Sequence, residues 1–278
     1  MRVRAVVAVA VILVVVACTG GEGGGMPAGD HVHALADTAD GGLLLGLHEG
    51  LYRSDDGERW ELAGLSGEDA MAIATAADGD PLFVAGHDVL YRSDDRGETY
   101  SPLAPSDLPG LDIHAFAQAP ADPQTVYAFV VGHGLYASSN AGDTWEVRAS
   151  LESLPQDVFG LAVAGSDTET LVMVGPESGV LRSFDGGRTF TQVSDVPAGA
   201  VAVDKETPDV VWALTATGLA RSEDAGASWD ITSSLDAVEG QPVALAVAGD
   251  QVWLVTEQPR ALYRSDDGGE SWSRVTDT

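Results

Sequence analysis

The sequence predicts an all-β protein, a six-bladed β-propeller of four-stranded antiparallel blades over residues 31–278. A short motif, Ser-x-Asp-x-Gly, recurs six times with small variations at intervals of 39 to 45 residues, which is a typical length for a propeller blade. Each interval has room for four short strands separated by turns, and helical periodicity is absent. Small residues also occupy two alternating positions of the first strand in every unit, which indicates closely packed inner strands.

The chain begins with features typical of an exported bacterial lipoprotein. The first four residues, MRVR, are basic, and residues 5–17 are thirteen uninterrupted apolar residues. This run suits a signal peptide and is short for a membrane span, which needs about 20 residues. The sequence VVAC, ending at Cys18, resembles a bacterial lipobox, which implies cleavage before Cys18 and a lipid on its thiol. An uncleaved membrane anchor is the alternative.

Three segments follow from these patterns: a signal peptide at residues 1–17, a Gly-rich flexible tether at 18–30 and the propeller at 31–278. Either form of attachment places the propeller outside the cytoplasm, at the surface of the cell membrane. Cys18 is the only cysteine, so the mature domain has no disulfide bond. We expect a monomer that contacts the membrane through its N-terminal lipid.

The charge of the chain narrows the range of partners. The net charge is -29 and the chain has a single lysine, so no basic patch can form. Such a field repels nucleic acid and favours cations or neutral molecules. A nucleic-acid partner is therefore not expected, whereas a protein, a glycan or a divalent cation remains compatible with the charge.

The first strand of each unit is predicted to lie innermost. One of its columns holds only alanine, the next column on the same face holds alanine or glycine, and the column between them holds large apolar residues. When the face with small residues packs against the face with large residues of the neighbouring blade, the inner strands can come close together near the axis. Blade 6 should close the ring by packing against blade 1. The columns are Ala36, Ala74, Ala117, Ala162, Ala202 and Ala246; Ala34, Ala72, Ala115, Gly160, Ala200 and Ala244; and Leu35, Ile73, Phe116, Leu161, Val201 and Leu245.

The repeated motif is predicted to be a hairpin turn between the third and fourth strands. Ser, Asp and Asn side chains can bond the nearby backbone, and Gly supplies the positive φ. The aromatic residue that closes each copy can bury a large apolar area. The residues assigned a structural role in this turn are Ser54, Asp56, Ser93, Asp95, Gly97, Ser138, Gly142, Ser183, Asp185, Gly187, Ser222, Asp224, Gly226, Ser265, Asp267 and Gly269.

These six motifs resemble the Asp-box, or bacterial neuraminidase repeat. Asp-boxes recur in sialidases, other glycoside hydrolases, sortilin-type receptors and photosystem-assembly factors, where they are structural turns away from the active site. The combination of lipobox, tether and six compact units is similar to exported bacterial lipoproteins labelled glycosylhydrolase-like. The resemblance implies a propeller fold, and it does not by itself imply an activity.

The two ends of the blades should differ in what they carry. The Asp-boxes mark one end, here called the lower face, and the second-to-third turns and the links between blades form the opposite end, the upper face. Loops on a rigid scaffold are the usual place for function, so the non-repeated residues of the upper face are the candidates. They include all six histidines (His31, His33, His48, His87, His114 and His133) and the candidate catalytic carboxylates Glu49, Asp69, Asp88, Asp112 and Asp157.

Two functions are compatible with this face. The first is a binding or scaffold module for a protein, a glycan or a cation. The alternative is a glycoside hydrolase that acts on a neutral glycan, with two carboxyl groups roughly 5 to 9 Å apart. Sialidase activity is disfavoured, because it needs three arginines and a tyrosine nucleophile in the site. Every tyrosine of the blades, and every arginine except Arg260, occupies a repeat position and is therefore assigned to the fold.

The histidines suggest a divalent transition-metal site within a blade, since the start of the first strand lies beside the end of the second. In blade 1 the predicted group is His33 and His48 with Glu49 nearby. In blade 3 it is His114 and His133 with Asp112. The alternative is that these histidines only bond the backbone of the rim.

Overall fold

The computed structural model describes residues 25–29 and 31–277, so the predicted signal peptide and Cys18 lie outside the described residues. Within these ranges the chain forms six four-stranded antiparallel sheets. One short 3-10 turn, Leu151–Ser153, is the only helical segment in them. The predicted all-β, six-bladed propeller is confirmed. No helix of the described residues is long and apolar enough to cross a membrane.

Each blade is a simple meander in which every strand pairs with the next one along the chain. Blade 1 consists of β1 Val32–Asp37, β2 Leu43–Leu47, β3 Gly50–Ser54 and β4 Glu61–Gly64. Blade 2 consists of β5 Ala72–Thr75, β6 Leu82–Gly86, β7 Val89–Ser93 and β8 Ser101–Pro102. Blade 3 consists of β9 Ile113–Ala119, β10 Asp122–Val130, β11 Gly134–Ser138 and β12 Glu146–Ser150. Blade 4 consists of β13 Gly160–Val163, β14 Leu171–Gly175, β15 Gly179–Ser183 and β16 Thr191–Ser194. Blade 5 consists of β17 Ala198–Val203, β18 Val211–Thr215, β19 Gly218–Ser222 and β20 Asp230–Ser233. Blade 6 consists of β21 Gln241–Ala248, β22 Gln251–Glu257, β23 Ala261–Ser265 and β24 Ser273–Asp277.

The first strands surround the axis of the ring, as the alanine columns predict. Each of β1, β5, β9, β13, β17 and β21 contacts the first strands of its two neighbours, and β1 packs against β21 to close the ring. The seams between blades follow the small-against-large rule. Leu35 of blade 1 packs with Ala244 and Ala246 of blade 6, and Phe116 of blade 3 packs with Ala74 of blade 2.

The Asp-boxes lie at the lower face, between the third and fourth strands. In all six boxes the serine hydroxyl accepts the N–H of the glycine at 2.8–3.0 Å. That glycine has a positive φ, for example 82° at Gly226, which L side chains rarely adopt. Hydrogen bonds from the hydroxyl and the backbone N–H of Ser228 hold the pKa of Asp224 at about 2. The aspartates therefore act as ionised turn residues.

A narrow channel runs along the axis and is divided into two cavities. The large residues of the first strands, such as Leu35 and Phe116, line both cavities and separate a lower one of about 120 Å³ from an upper one of about 110 Å³. At the lower end Lys205 of blade 5 reaches blade 1, where its Nζ lies 2.7 Å from Asp37 Oδ1. The lower cavity thus ends at an ion pair between Lys205 and Asp37.

Residues 25–29 run along the seam between blades 1 and 6. Gly25 donates its N–H to the carbonyl of Glu58 in the first Asp-box, at 3.1 Å. Met26 is 5% exposed and packs in the cluster that joins the two blades. Arg260 of blade 6 donates to the carbonyl of Pro27 at 2.8 Å. This short stretch, which lies within the predicted tether, connects the first and last blades.

Candidate functional site

Four histidines and two aspartates gather at the upper mouth of the channel, and we call them the histidine cluster. These six residues are His33, His48, Asp69, His87, Asp112 and His114. They come from blades 1, 2 and 3, so the cluster spans three neighbouring blades. The upper cavity of the channel ends at it, since His33 and His114 line that cavity.

Two of these histidines lie at irregularities of the first strands. In blade 3, Ile113 pairs with Val130 and Ala115 pairs with the adjacent Phe129, so His114 between them is the extra residue of a β-bulge. In blade 1 the same shift leaves His33 between the paired residues Val32 and Ala34. A bulge redirects the side chain of its extra residue. Both residues line the upper cavity of the channel, two positions before the large residues Leu35 and Phe116 of the same strands.

Asp69 connects the cluster. Its Oδ2 accepts a hydrogen bond from His87 Nδ1 at 2.6 Å and lies 2.9 Å from His48 Nδ1. Its Oδ1 lies 3.4 Å from His33 Nε2. The Asp69 side chain is only 13% exposed, so one buried carboxylate faces three imidazoles. Because a carboxylate oxygen accepts, His87 carries a proton on Nδ1, and in the neutral imidazole Nε2 then presents a lone pair to the other side.

The cluster contains two groups of three donor atoms. The inner group is His33, His48 and Asp69, in which the two Nε2 atoms lie 3.3 Å apart. The outer group is His87, Asp112 and His114. In the outer group His87 Nε2 lies 3.0 Å from His114 Nε2 and 3.5 Å from Asp112 Oδ1, and His114 Nε2 lies 3.3 Å from the same oxygen.

Burial favours the neutral form of two of the imidazoles. It lowers the pKa of His33, and the facing carboxylate of Asp69 opposes that shift without cancelling it. Burial likewise lowers the pKa of His114 against the opposing effect of Asp112. A neutral imidazole keeps a lone pair, which is the form that binds a metal ion or accepts a hydrogen bond.

The predicted groupings were partly right. His33 and His48 of blade 1 do meet, but the carboxylate that joins them is Asp69 rather than Glu49. His114 and Asp112 of blade 3 also meet, but the predicted partner His133 is exposed in its turn and lies outside both groups. His87 of blade 2 takes that place, with its Nε2 3.0 Å from that of His114.

The remaining candidate carboxylates have other positions. Asp157 Oδ2 accepts the N–H groups of Glu177 at 2.6 Å and Ser178 at 2.8 Å, and so it holds the second-to-third turn of blade 4. Burial would raise the pKa of Asp157, but these backbone hydrogen bonds outweigh it and lower the value. Asp88 is exposed in a turn with a positive φ of 58°. Glu49 is half-buried in the corresponding turn of blade 1.

Arg260 and Glu257 tie blade 6 to the start of the described chain. Glu257 accepts the N–H of Val32 at 2.9 Å and a hydrogen bond from Arg260 at 3.2 Å. Arg260 also donates to the carbonyl of Gly29 at 3.2 Å. Arg260, the arginine that lies outside the repeat positions, is therefore engaged in a structural contact. Among the described residues, the arginine triad of a sialidase has no counterpart at the upper face.

Blades 4 to 6 form a different part of the upper face, an open groove of about 740 Å³. Its walls combine apolar side chains with a few hydroxyl and amide groups. Phe159 is 54% exposed at one end of the groove, and its ring centroid lies 6.4 Å from that of His114. The groove and the histidine cluster are therefore neighbours. The lining includes Phe159, Pro176, Pro197, Thr215, Thr217, Ser234, Leu235, Val238, Gln241 and Pro242.

Comparison with known proteins connects the chain with one repeat and one group of enzymes. A model of the BNR/Asp-box repeat matches residues 263–274. A xyloglucanase of Hypocrea jecorina is 29% identical over 141 residues, which are 50% of this chain and 16% of that protein. Xyloglucanase Xgh74A of Acetivibrio thermocellus is 25% identical over 212 residues, which are 66% of this chain and 23% of that protein.

The crystal structure of the Niastella koreensis GH74 enzyme has a similar fold, with a TM-score of 0.66 and 16% identity over 90% of this chain and 45% of that chain. The chain thus spans less than half the length of each of these three relatives. The likeness in structure concerns the fold alone. On the repeats, the blades and these similarities, the chain is a six-bladed β-propeller with Asp-box repeats whose relatives include xyloglucanases.

Proposed function

We propose that the protein is an exported, lipid-anchored binding propeller that holds a neutral glycan in the groove of blades 4 to 6. The observation that carries the proposal is the composition of the groove. An exposed phenylalanine stands at one end, aliphatic and proline side chains form the walls, and Thr215, Ser234 and Gln241 supply scattered polar groups. Apolar surface with a few placed hydrogen-bonding groups is typical of small-ligand sites.

The chemistry of a neutral sugar chain fits this lining. The flat apolar face of a pyranose ring can pack on Phe159, while hydroxyl groups bond the threonine, serine and glutamine side chains. The net charge of -29 disfavours an anionic polysaccharide. The relatives named as xyloglucanases support xyloglucan as the first ligand to examine. The lipid on Cys18 would hold this groove at the outer surface of the cell membrane.

Binding is preferred to hydrolysis because of what the upper-face carboxylates contact. Hydrolysis with two carboxyl groups needs one that is protonated at neutral pH and close to the scissile bond. Asp69 faces three imidazoles, Asp112 faces two, and Asp157 is bonded to the backbone with its pKa lowered. None of these three lines the groove.

Xyloglucan binding by the purified, detergent-solubilised chain tests the proposal. We expect the protein to be retarded in affinity electrophoresis through gels that contain xyloglucan. Phe159→Ala should abolish the retardation. Phe184→Ala is the matched control, since Phe184 is 64% exposed at the lower face of the same blade and should not matter. No retardation by xyloglucan or by other neutral glucans would exclude the glycan groove.

Glycoside hydrolysis is the second candidate, and the xyloglucanase relatives favour it. Release of reducing ends from xyloglucan would establish it, if the release is lost in Asp112→Asn or Asp69→Asn. Binding without release supports the binding propeller. The anchor has a separate test, because mass spectrometry of the protein from its native membrane should find the lipid on Cys18 and lose it in Cys18→Ser.

A further inference from the structure

The geometry points to a divalent transition-metal site of the zinc class in the outer group of the histidine cluster, held by His87 Nε2, His114 Nε2 and Asp112 Oδ1. This site is independent of the glycan groove. Two imidazole nitrogens and one carboxylate oxygen are a common ligand set for zinc, and the fourth position would be open to water or to a bound molecule.

The spacing of the three donor atoms carries the inference. Four ligands at about 2.0–2.1 Å around a tetrahedral ion lie about 3.3–3.4 Å from one another. The three distances in the outer group are 3.0, 3.3 and 3.5 Å. The triangle therefore already has the size that a zinc ion requires, and only small side-chain movements would complete it.

The hydrogen-bond geometry offers one place for a cation among these atoms. His87 Nδ1 lies 2.6 Å from Asp69 Oδ2, and in the neutral imidazole that donates there, Nε2 has a lone pair for a metal ion. His114 Nε2 lies 3.0 Å from that lone pair. Asp112 Oδ1 is shielded from solvent and accepts no hydrogen bond of good geometry. Either one shared proton or one metal ion can satisfy all three donor atoms, and their spacing is the one that a metal ion requires.

Asp69 acts as a positioning residue for this site. A histidine that binds a metal usually donates its other N–H to a carboxylate, which fixes the ring and makes the metal-binding nitrogen more basic. The 2.6 Å bond from His87 Nδ1 to Asp69 Oδ2 has this form. The charges also balance, because a divalent ion with Asp112 and the adjacent Asp69 adds up to zero.

Access and location favour the outer group over the inner one. The side chains of His87 and Asp112 are 46% and 48% exposed, so an ion can enter from the upper face. In the inner group Asp69 already faces three imidazoles, and an ion there would compete with those contacts. Asp69 Oδ1 nevertheless accepts no hydrogen bond and lies 3.4 Å from His33 Nε2. The inner group is therefore the alternative location that an experiment must separate.

Calorimetric titration of the metal-stripped full chain with ZnCl2 tests the site. We expect one zinc per chain with a dissociation constant below about 10 µM. His87→Ala and His114→Ala should each weaken binding by more than about 100-fold, the upper range for loss of an outer-shell partner. His133→Ala is the matched control, because this exposed histidine occupies the corresponding turn of blade 3 and should leave binding unchanged.

Cobalt substitution reports on the type and number of the ligands. Co²⁺ added to the stripped protein should give the visible absorption bands of a four-coordinate site with nitrogen ligands. Asp69→Asn should weaken binding about 10- to 100-fold and shift the bands while retaining them, as expected when only the basicity of His87 changes. Complete loss of the bands in Asp69→Asn would show that Asp69 is itself a ligand and would place the ion in the inner group.

The remaining outcomes also decide the question. If His33→Ala abolishes zinc binding while His114→Ala retains it, the ion lies in the inner group and the assignment is wrong. If the wild-type protein binds neither Zn²⁺ nor Co²⁺ below about 10 µM, there is no metal site, and the cluster is a network of imidazoles and carboxylates that share protons.

Discussion

The lower and upper faces of the propeller both consist of connections between strands, but their residues follow the repeat to different degrees. At the lower face a serine and a glycine recur in all six boxes, with the same hydrogen bond between them. At the upper face the histidines occur only in blades 1 to 3, and the apolar groove lies only in blades 4 to 6. One face is periodic, and the other is divided into two chemically different halves.

The difference separates residues that serve the fold from residues that are free to serve function. A residue present in every repeat unit stabilises that unit and its contact with the next. A residue that occurs in only one unit is not required by the repeat, so its position on a rigid face is a better indication of a ligand-binding role. Substitutions at the lower face should therefore lower the free energy of unfolding, and substitutions at the upper face should lower affinity instead.

The largest expected effect is that of Trp145→Ala in the box of blade 3. Trp145 is 6% exposed, packs against Phe116 and donates its indole N–H to the carbonyl of Gly142 at 2.9 Å. Removal of such a side chain should lower the free energy of unfolding by about 3 kcal/mol or more, measured by urea denaturation. Phe159→Ala, at the exposed upper face, should change it by less than about 0.5 kcal/mol. Equal effects of the two substitutions would contradict the division between the faces.

The fold could be predicted because its determinants are local and repeated. The Asp-box needs only a serine, an aspartate or asparagine and a glycine at fixed spacing, and Gly226 with its φ of 82° shows why the glycine is required. The alternation of Ala34, Leu35 and Ala36 likewise reports directly on which face of the strand meets the neighbour. Because each pattern occurs six times, the fold class and the order of the strands could be predicted from the sequence.

The candidate site was only partly predictable because it depends on contacts between blades, which have no local sequence signal. His114 was grouped with His133 of its own blade, whereas its imidazole partner is His87 of blade 2. Asp69 was recognised as an upper-face carboxylate, but its central position among three imidazoles follows from the packing of blade 1 on blade 2. The groove lined by Phe159 was missed, since its walls come from three blades.

A second prediction concerns Met26, which packs in the seam between blades 1 and 6. Met26→Ala should lower the free energy of unfolding by about 2 kcal/mol, because it empties a buried site where the ring closes. Met71→Ala is the matched control, since Met71 is only half-buried beside the upper cavity and should have a smaller effect. If the two substitutions cost the same in urea denaturation, residues 25–29 do not contribute to closing the ring.

The smallest expected effect on the free energy of unfolding is that of Asp224→Asn, which removes the charge of the box but keeps its shape. In the box of blade 3 an asparagine, Asn140, already accepts the hydroxyl of Ser138 at 2.8 Å and the N–H of Thr144 at 3.0 Å, so the amide can maintain the turn. The Asp224→Asn variant would lack only the stability that comes from the lowered pKa of Asp224, about 2 in the folded protein against about 3.9 in an unfolded chain.

A pKa that is lowered on folding contributes stability that is fully present above about pH 4 and is lost as the pH falls towards about 2. The urea midpoint of the wild-type protein should therefore exceed that of Asp224→Asn at about pH 6, and the two should converge between about pH 4 and about pH 2. The difference near neutral pH should be small, because the carboxylate is largely exposed to solvent, which weakens its interactions. A difference that stays constant down to about pH 2 would mean that the hydrogen bonds of the box, and not its ionisation, distinguish aspartate from asparagine at the lower face.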